Sequence, residues 1–427
     1  MVKCIWFITI LLTASVLLAA CIDGSKTSNA VARENKIVQP TDLPMENIKP
    51  PILNTPTPIK IVDSIKDKVN EMTLDEKIGQ MIISGVNGYA IDDNTKKMIQ
   101  NDHVGGFIIF GQNVEDAKQL LKLINSLKTT NSINKIPLFL SIDEEGGRVS
   151  RMPAEFKGLP TSKAIGRVNN SDFSYRIGGI ISEELNLFGF NMDFAPVLDI
   201  NSNPNNNVIG DRSFGTNPDI VAKLAIQTIK GIHSGNVISV VKHFPGHGDT
   251  SLDSHERLPS VNSDMKRLES FELIPFVQAI NNKADMVMVA HILLPKIDPK
   301  YPASMSEIII ADILRKDLNF DGVVITDDIT MGAITNNYNI RDAAIKSVNA
   351  GIDIILVCHG YDNERAVIDA LMQAVQRGQI TEDRVNQSVY RILKLKQKYN
   401  INSNTIKSVD VNEINSKIKN ILNTYMK

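Results

Sequence analysis

Tryptophan, cysteine and net charge are scarce in this chain of 427 residues. The one tryptophan is Trp6, and the three cysteines are Cys4, Cys21 and Cys358. Lysine and arginine total 46 against 48 aspartate and glutamate residues, and no long basic block follows the N-terminal segment. This charge balance argues against a nucleic acid partner, while a hydrophobic content of 43% is ample for a core.

Signature sequences of several enzyme classes are also missing. No G-x-G-x-x-G or Walker-type loop follows any of the strands predicted below, which argues against a nucleotide-binding fold. The chain has no G-x-S-x-G elbow for an acyl-transferring serine and no H-E-x-x-H zinc motif. The chemistry must therefore come from other polar residues.

The N-terminal residues have the pattern of a lipoprotein leader. Lys3 supplies a positive charge, residues 5–18 form an apolar run too short for a spanning helix, and Leu18-Ala-Ala-Cys21 resembles the bacterial lipobox. We expect residues 1–21 to be a signal peptide and Cys21 to carry the lipid that tethers the protein outside the cytoplasmic membrane. An ordinary signal peptide with an incidental cysteine is the alternative. With Cys21 lipidated, Cys358 has no partner for an intramolecular disulfide.

Three further regions follow from composition. Residues 22–58 contain six prolines among many Ser, Thr and Asn residues and are predicted to be a linker. Residues 59–400 are expected to form a single catalytic domain, in which Thr73 and Glu76 have the spacing of a helix capping box. Residues 401–427 are expected to be a tail that forms a loose helix or a frayed end.

Short apolar strands alternate with longer amphipathic segments, such as 114–127, 220–233 and 268–281. The predicted strands are 81–84, 106–110, 138–142, 191–195, 237–241, 286–290, 322–326 and 352–357. Strands that alternate with helices predict an α/β protein with a parallel sheet. Their number, eight, favours a closed (β/α)8 TIM-type barrel over an open doubly wound sheet.

Polar residues follow the predicted strand ends. After the third strand come residues 143–151, and after the fourth come 196–199 and later 210–212. After the fifth, sixth and seventh strands come 242–255, His291 and 327–328. In a barrel of this kind the active site lies on the loops at the C-terminal ends of the strands. Charged groups that are far apart in the sequence are therefore predicted to meet at one mouth.

Asp327 is the candidate nucleophile. A retaining glycosidase needs a carboxylate that forms a glycosyl ester and a second group that protonates the leaving oxygen. Asp327 directly follows the strand 322–326, which would hold it in a fixed position. The alternative is that Asp327 caps the next helix, a role that Asp328 or Thr330 could equally fill.

No glutamate is obviously placed as the acid, but His255 follows Asp253 by two residues. In an extended segment such residues point the same way, so Asp253 can orient the His255 imidazole. An imidazole can donate and accept a proton near neutrality, because its ordinary pKa is about 6.5. The D-x-H pattern alone is a weak signal, and a solvated turn is the alternative.

Donors and acceptors for sugar hydroxyl groups are predicted at Asp143, Arg151, Arg212, Lys242 and His243. For each of these, an ion pair between neighbouring loops is an equally good interpretation. His247 is predicted to hydrogen-bond its own loop. A metal site could draw on His243, His247, Asp249, Asp253 and His255, but their spacing matches no compact zinc pattern and Lys242 would repel a cation. A sugar-binding lipoprotein without catalysis is the non-enzyme alternative.

Four motifs together resemble the family 3 glycoside hydrolases, and more narrowly the NagZ-type β-N-acetylglucosaminidases. They are Ile142-Asp-Glu-Glu-Gly-Gly-Arg-Val-Ser-Arg151, Gly210-Asp-Arg-Ser-Phe-Gly215, Lys242-His-Phe-Pro-Gly-His-Gly248 with Asp253-Ser-His255, and Ile325-Thr-Asp-Asp328. The resemblance runs from about residue 72 to about residue 399. The Asp-Ser-His segment separates this branch from the β-glucosidases of the family, which lack it.

The resemblance implies a (β/α)8 barrel that releases terminal β-linked N-acetylglucosamine with retention. We expect no cofactor and no metal. The resemblance implies Asp327 as nucleophile, His255 as acid/base and Asp253 as its orienting partner. Sugar binding would fall to Asp143, Arg151, Arg212, Lys242 and His243. Phosphate could replace water as acceptor, which leaves a phosphorylase as the alternative, and a β-glucosidase-type specificity is another. We expect a monomer that acts on small glycans and contacts the membrane only through Cys21.

The lipobox prediction can be tested with Cys21→Ala. Without the thiol no lipid can be attached, so the variant should be released from the membrane fraction or accumulate unprocessed. Cell fractionation with immunoblotting measures this. Cys4→Ala, within the predicted leader, is the matched control and should stay anchored. Membrane retention of Cys21→Ala equal to wild type would contradict the lipobox.

Overall fold

The computed structural model describes residues 63–250 and 253–426. The predicted signal peptide, Cys21 and the linker to residue 58 lie outside the described residues, so what was expected of them stays a prediction. Within the described ranges, no helix is long and apolar enough to cross a membrane.

Eight parallel strands form the centre of the fold, each within three residues of its predicted limits. They are β1 Ile82–Gly85, β2 Gly106–Ile109, β3 Phe139–Ile142, β4 Met192–Asp193, β5 Ile238–Phe244, β6 Met286–Val289, β7 Val323–Thr326 and β8 Ile355–Val357. Their order is β7-β6-β5-β4-β3-β2-β1-β8, and a parallel bridge between Ile325 and Ile354 joins the two ends. The sheet closes on itself, so the predicted (β/α)8 TIM-type barrel is confirmed.

Helices surround the barrel and cover strands that are buried at every position. They are α1 Ser64–Glu71, α2 Leu74–Gln80, α3 Asp93–Gln100, α4 Ala117–Thr130, α5 Ser162–Val168, α6 Ser171–Phe188, α7 Pro218–Ser234, α8 Met265–Ser270, α9 Ile274–Asn281, α10 Gly332–Thr335, α11 Ile340–Ala350, α12 Tyr361–Gln376, α13 Glu382–Lys398 and α14 Val411–Tyr425, with a π-helix at Ile308–Asp317. The capping box of α2 is confirmed, since Thr73 Oγ1 accepts the Glu76 amide at 3.3 Å and Glu76 accepts the Thr73 amide at 2.8 Å. The predicted helix 268–281 is instead two helices, because Pro275 has no amide hydrogen with which to continue α8.

The C-terminal segment differs from the loose helix or frayed end expected for it. Helix α14 begins at an Asp410 cap and buries Ile414 and Ile418, which lie one turn apart on the same face. The Tyr425 ring stacks on Phe173 of α6 at 5.0 Å between centroids. Although this segment is polar in composition, its few apolar residues lie on one face. The tail is therefore a helix that packs on the barrel.

Asp353 holds the strands β7 and β8 together from a buried position. Its carboxylate accepts the Val324 amide at 3.0 Å and pairs with Arg315 at 2.5 Å, Arg384 at 3.1 Å and Arg391 at 3.4 Å. Burial would raise the pKa of Asp353, but the three guanidinium groups hold it below its ordinary value. Where β7 meets β8 and the barrel closes, one buried carboxylate therefore pairs with three guanidinium groups.

Asp353→Asn should lower the free energy of unfolding by about 3–5 kcal/mol, because it leaves three partly buried arginines without their anion. Urea unfolding followed by circular dichroism measures the loss. Asp321→Asn is the matched control: Asp321 also pairs with Arg391, but its side chain is 77% exposed, so we expect a change of about 0.5 kcal/mol or less. Equal losses in both variants would show that the buried network does not stabilise closure.

Candidate active site

A cavity of about 500 Å³ opens at the C-terminal ends of the strands. Every side chain predicted for catalysis or sugar binding lines it, namely Asp143, Arg151, Arg212, Lys242, His243, Asp253, His255 and Asp327. Lys242 and His243 lie at the end of β5 itself, and the other six residues come from the loops after β3, β4, β5 and β7. The fold therefore brings together eight side chains that the sequence placed on four separate loops.

The floor of the cavity is an ionic network around Lys242. The Lys242 amine contacts Asp143 at 2.5 Å and Glu145 at 2.7 Å, and Glu145 also accepts two hydrogen bonds from Arg212, at 2.8 and 2.7 Å. The Lys242 and Glu145 side chains are each 2% exposed. Burial would lower the pKa of Lys242, but the two carboxylates raise it above its ordinary value, so the amine stays charged.

Glu145 was not among the predicted site residues, although it is the link between Lys242 and Arg212. Burial would raise the pKa of Glu145, but its two cations hold it far below its ordinary value. Glu145 and Asp143 are two residues apart and contact the same amine. The same i, i+2 alternation that suggested the pairing of Asp253 with His255 could have identified Glu145.

Lys242 and His243 are consecutive, yet both line the cavity. In a regular strand neighbouring side chains point to opposite faces. Strand β5 is irregular here, since its pairing with β6 shifts register between Val241 and Phe244. Such an irregularity re-aims side chains next to an active site.

A buried aspartate, which the sequence placed after the fourth strand without a role, holds the His243 ring. Asp199 Oδ2 lies 2.6 Å from His243 Nδ1, and Asp199 Oδ1 accepts the His247 amide at 2.6 Å. Burial would raise the pKa of Asp199, but the pairing with His243 lowers it. The other ring nitrogen of His243 lies 3.5 Å from Arg212. Asp199 thus orients His243 between the loop after β4 and the ionic floor.

His247 has the structural role predicted for it. Its Nδ1 lies 2.9 Å from the Thr250 hydroxyl and its Nε2 lies 3.3 Å from the Ser254 hydroxyl. Burial, together with the neighbouring His243, lowers the pKa of His247 to about 4. The ring is therefore neutral and hydrogen-bonds its own loop.

Asp327 and Asp328 have different hydrogen-bond partners, which bears on whether Asp327 is a nucleophile or a capping residue. Asp328 accepts the amides of Thr330 at 2.9 Å and Cys358 at 3.0 Å, and the Thr330 hydroxyl at 2.6 Å. The Asp327 carboxylate accepts the Asp328 amide at 2.8 Å and lines the cavity. Burial would raise the pKa of Asp327, but the His243 and His291 rings and the Asp328 amide lower it. Both residues line the cavity, but Asp328 is engaged in fixing the turn, whereas Asp327 presents an ionised carboxylate.

Asp253 and His255 form the predicted pair. The Asp253 carboxylate contacts His255 Nδ1 at 2.8 Å and also accepts the His255 amide at 2.9 Å. The extended geometry expected for the pair is wrong, because the Glu256 and Arg257 amides bond back to the Asp253 carbonyl in a turn. The His255 side chain is 68% exposed, so the pair stands at the outer edge of the cavity.

Arg151 keeps donor capacity at the cavity. Its amide donates to Glu144 at 2.8 Å, and Nη1 makes a long contact of 3.4 Å with the Ser150 carbonyl. The buried Nε has no protein partner among the described residues. A ligand oxygen could accept from this guanidinium.

The residues considered as metal ligands have other partners. His243, His247 and His255 contact Asp199, Thr250 with Ser254, and Asp253, as described above. In the part of the chain that the structure describes, no group of three His, Cys, Asp or Glu side chains is placed to hold a metal ion.

The model of the glycosyl hydrolase family 3 N-terminal domain matches residues 73–395. The chain belongs to glycosyl hydrolase family 3. It is 36% identical over 326 residues to beta-hexosaminidase A of Pseudoalteromonas piscicida, covering 71% of this chain and 54% of that protein. It is 33% identical over 303 residues to a beta-hexosaminidase of Idiomarina loihiensis, covering 70% and 89%. The chain therefore spans about half of the first relative and most of the second.

A solved family 3 structure has the same fold. The family 3 beta-N-acetylglucosaminidase from Paenibacillus sp. str. FPU-7 superposes with a TM-score of 0.79 at 40% sequence identity, over 83% of this chain and 69% of that one. The family assignment thus extends from the motifs to the whole barrel.

Glu144, between Asp143 and Glu145, is a buried carboxyl group of a different kind. Its Oε2 accepts the Ser150 hydroxyl at 2.7 Å and the Arg151 amide at 2.8 Å. Burial raises the pKa of Glu144 from 4.5 to about 7. The folded chain therefore binds more protons than the unfolded chain between about pH 4.5 and pH 7, and this group stabilises the fold less as pH rises through that window.

Glu144→Gln should remove this pH dependence, because the amide oxygen can still accept both hydrogen bonds but does not titrate. The advantage in unfolding free energy of wild type over Glu144→Gln should be larger at pH 5 than at pH 7.5, by about 1–3 kcal/mol. Urea unfolding at the two pH values measures it. Glu183→Gln, at a half-exposed position on α6, is the control. Its difference from wild type in unfolding free energy should be the same at pH 5 and pH 7.5. A Glu144→Gln difference independent of pH would mean that Glu144 is ionised throughout.

Proposed function

We propose that this family 3 chain is a retaining exo-glycosidase that releases terminal β-linked N-acetylglucosamine from small glycans such as muropeptides or chitooligosaccharides. The observation that carries the proposal is one cavity with an ionised carboxylate, Asp327, an orienting pair, Asp253 and His255, and an ionic floor. The beta-hexosaminidase relatives and the beta-N-acetylglucosaminidase structure support the choice of sugar.

In the first half of the proposed reaction, Asp327 attacks the anomeric carbon and His255 donates a proton to the glycosidic oxygen. The products are a glycosyl ester on Asp327 and the free leaving group. Asp253 accepts from Nδ1 of His255, which leaves Nε2 to transfer the proton. In the second half, His255 takes a proton from water while the water oxygen attacks the anomeric carbon, and Asp327 leaves as a carboxylate.

The ionic floor binds the terminal sugar in this proposal. Lys242 has three N–H donors, of which Asp143 and Glu145 take two, so one is available to a hydroxyl group. Arg151 offers further donors, His243 presents its Nε2 ring nitrogen, and Asp143, at 19% exposure, offers a carboxylate oxygen. Because partners within the protein already fix these groups, the sugar does not have to order them on binding.

We further propose that the protein works outside the cytoplasmic membrane, anchored through Cys21. The leader pattern of residues 1–21 supports this location, and the linker 22–58 would separate the catalytic domain from the lipid. Cell-wall fragments are within reach at such a site.

The proposal is tested with a truncated protein that lacks residues 1–21. It is assayed on a chromogenic N-acetyl-β-glucosaminide and on the matching β-glucoside. We expect turnover of the N-acetyl substrate alone, unchanged by a chelator. Asp327→Ala should lower kcat by at least about 1,000-fold, because no ester can form. The chromogenic leaving group released per second measures both.

Asp328→Asn is the comparison variant. It should lower stability through its lost turn contacts and keep more activity than Asp327→Ala; the reverse order would move the nucleophile to Asp328. Turnover of the glucoside instead would overturn the sugar assignment, and turnover of neither would favour a sugar-binding protein. Sugar phosphate among the products at high phosphate would show a phosphorylase.

A further inference from the structure

Two aromatic rings at the cavity mouth are not used by the proposed mechanism. Phe110 follows β2 and His359 follows β8, and both line the cavity. Their ring centroids are 5.2 Å apart and their planes lie 29° from parallel, so the rings are stacked. The His359 side chain is 55% exposed, in contrast to the buried groups of the floor.

The stack is held in place from both sides. The Phe110 amide donates to Asn113 at 2.9 Å, and Asn113 in turn donates to the carbonyls of Val86 and Gly88. His359 follows Cys358, whose amide donates to Asp328. His359 Nε2 also lies 3.9 Å from Asp328 Oδ2. Hydrogen bonds thus hold the backbone beside both rings, and the rings themselves contact each other in the stack.

This surface differs from the other rings at the cavity. Phe194 is fully buried, and His243 and His247 are held by Asp199, Thr250 and Ser254. His255 belongs to the acid/base pair. Among the described residues that line the cavity, Phe110 and His359 therefore provide an aromatic surface that the proposed mechanism does not use.

We propose that the Phe110–His359 stack binds the leaving-group sugar of a β-linked hexosamine disaccharide. This inference rests on the proposed function. The terminal sugar would fill the buried ionic floor, so the scissile bond and the next sugar must point outwards, to the exposed rim where the stack lies. The equatorial substituents of a glucosamine ring leave apolar C–H faces, which pack well on aromatic rings.

The test compares two substrates that share the terminal sugar. In N,N′-diacetylchitobiose the leaving group is a second sugar, whereas in N-acetyl-β-glucosaminyl fluoride it is a single atom that cannot reach the stack. For His359→Ala, the ratio of kcat/KM on chitobiose to kcat/KM on the fluoride should fall about 3- to 10-fold. His359→Phe keeps an aromatic face and should restore the ratio. Tyr175→Ala, which removes an exposed ring on α6, is the control and should leave it unchanged.

Each result has a distinct meaning. An unchanged ratio in His359→Ala would overturn the proposal, as would a wild type that turns over the fluoride but not chitobiose. A ratio that falls equally in His359→Ala and His359→Phe would show a hydrogen bond from the imidazole in place of stacking, and would also overturn it. Failure of the wild type on both substrates would instead overturn the proposed function itself. Turnover of the fluoride shows that a variant is folded.

Discussion

The Glu145 carboxylate lies between two cations, Lys242 and Arg212, and the geometry of the cavity depends on this contact. Buried charges are costly unless they are paired and hydrogen-bonded. With Asp143, the floor contains two carboxylates and two cations, so the charges balance before a sugar arrives. The same contacts join the loops after β3 and β4 to the end of strand β5. Pairing the charges of the floor therefore also holds these parts of the cavity together.

Within this frame, residues of the same type take different roles because their hydrogen-bond partners differ. Asp328 is tied to Thr330 and Cys358, whereas Asp327 is left at the cavity with one amide donor. His247 is enclosed in its own loop, while His255 stands at the exposed edge with Asp253. The type of a residue in a motif therefore does not define its chemical role. That role depends on whether hydrogen bonds within the protein already occupy the side chain.

The sequence was sufficient for the barrel and for contacts that are close along the chain. Eight short, mostly apolar runs determine the strands, and Asp253 reaches His255 over two residues. Contacts between distant loops could not be read in this way: Asp199 meets His243 across 44 positions and Glu145 meets Arg212 across 67. The first contact depends on the irregular end of β5 and the second on the packing of the loops after β3 and β4, and no local pattern reveals either. The docked helix α14 was missed because its apolar stripe is only a few residues wide.

Exposure increases outwards along the cavity, and this gradient agrees with the exo-acting glycosidase that we propose. Lys242 and Glu145 at the floor are 2% exposed, and His255 at the edge is 68% exposed. A proton donor at the edge requires the reacting bond to lie there too, since transfer needs hydrogen-bond reach. The terminal sugar is then enclosed by charged groups that can select it, while the leaving group lies at the open end of the cavity. Such a site discriminates strongly in the sugar it releases and weakly in what the sugar was attached to.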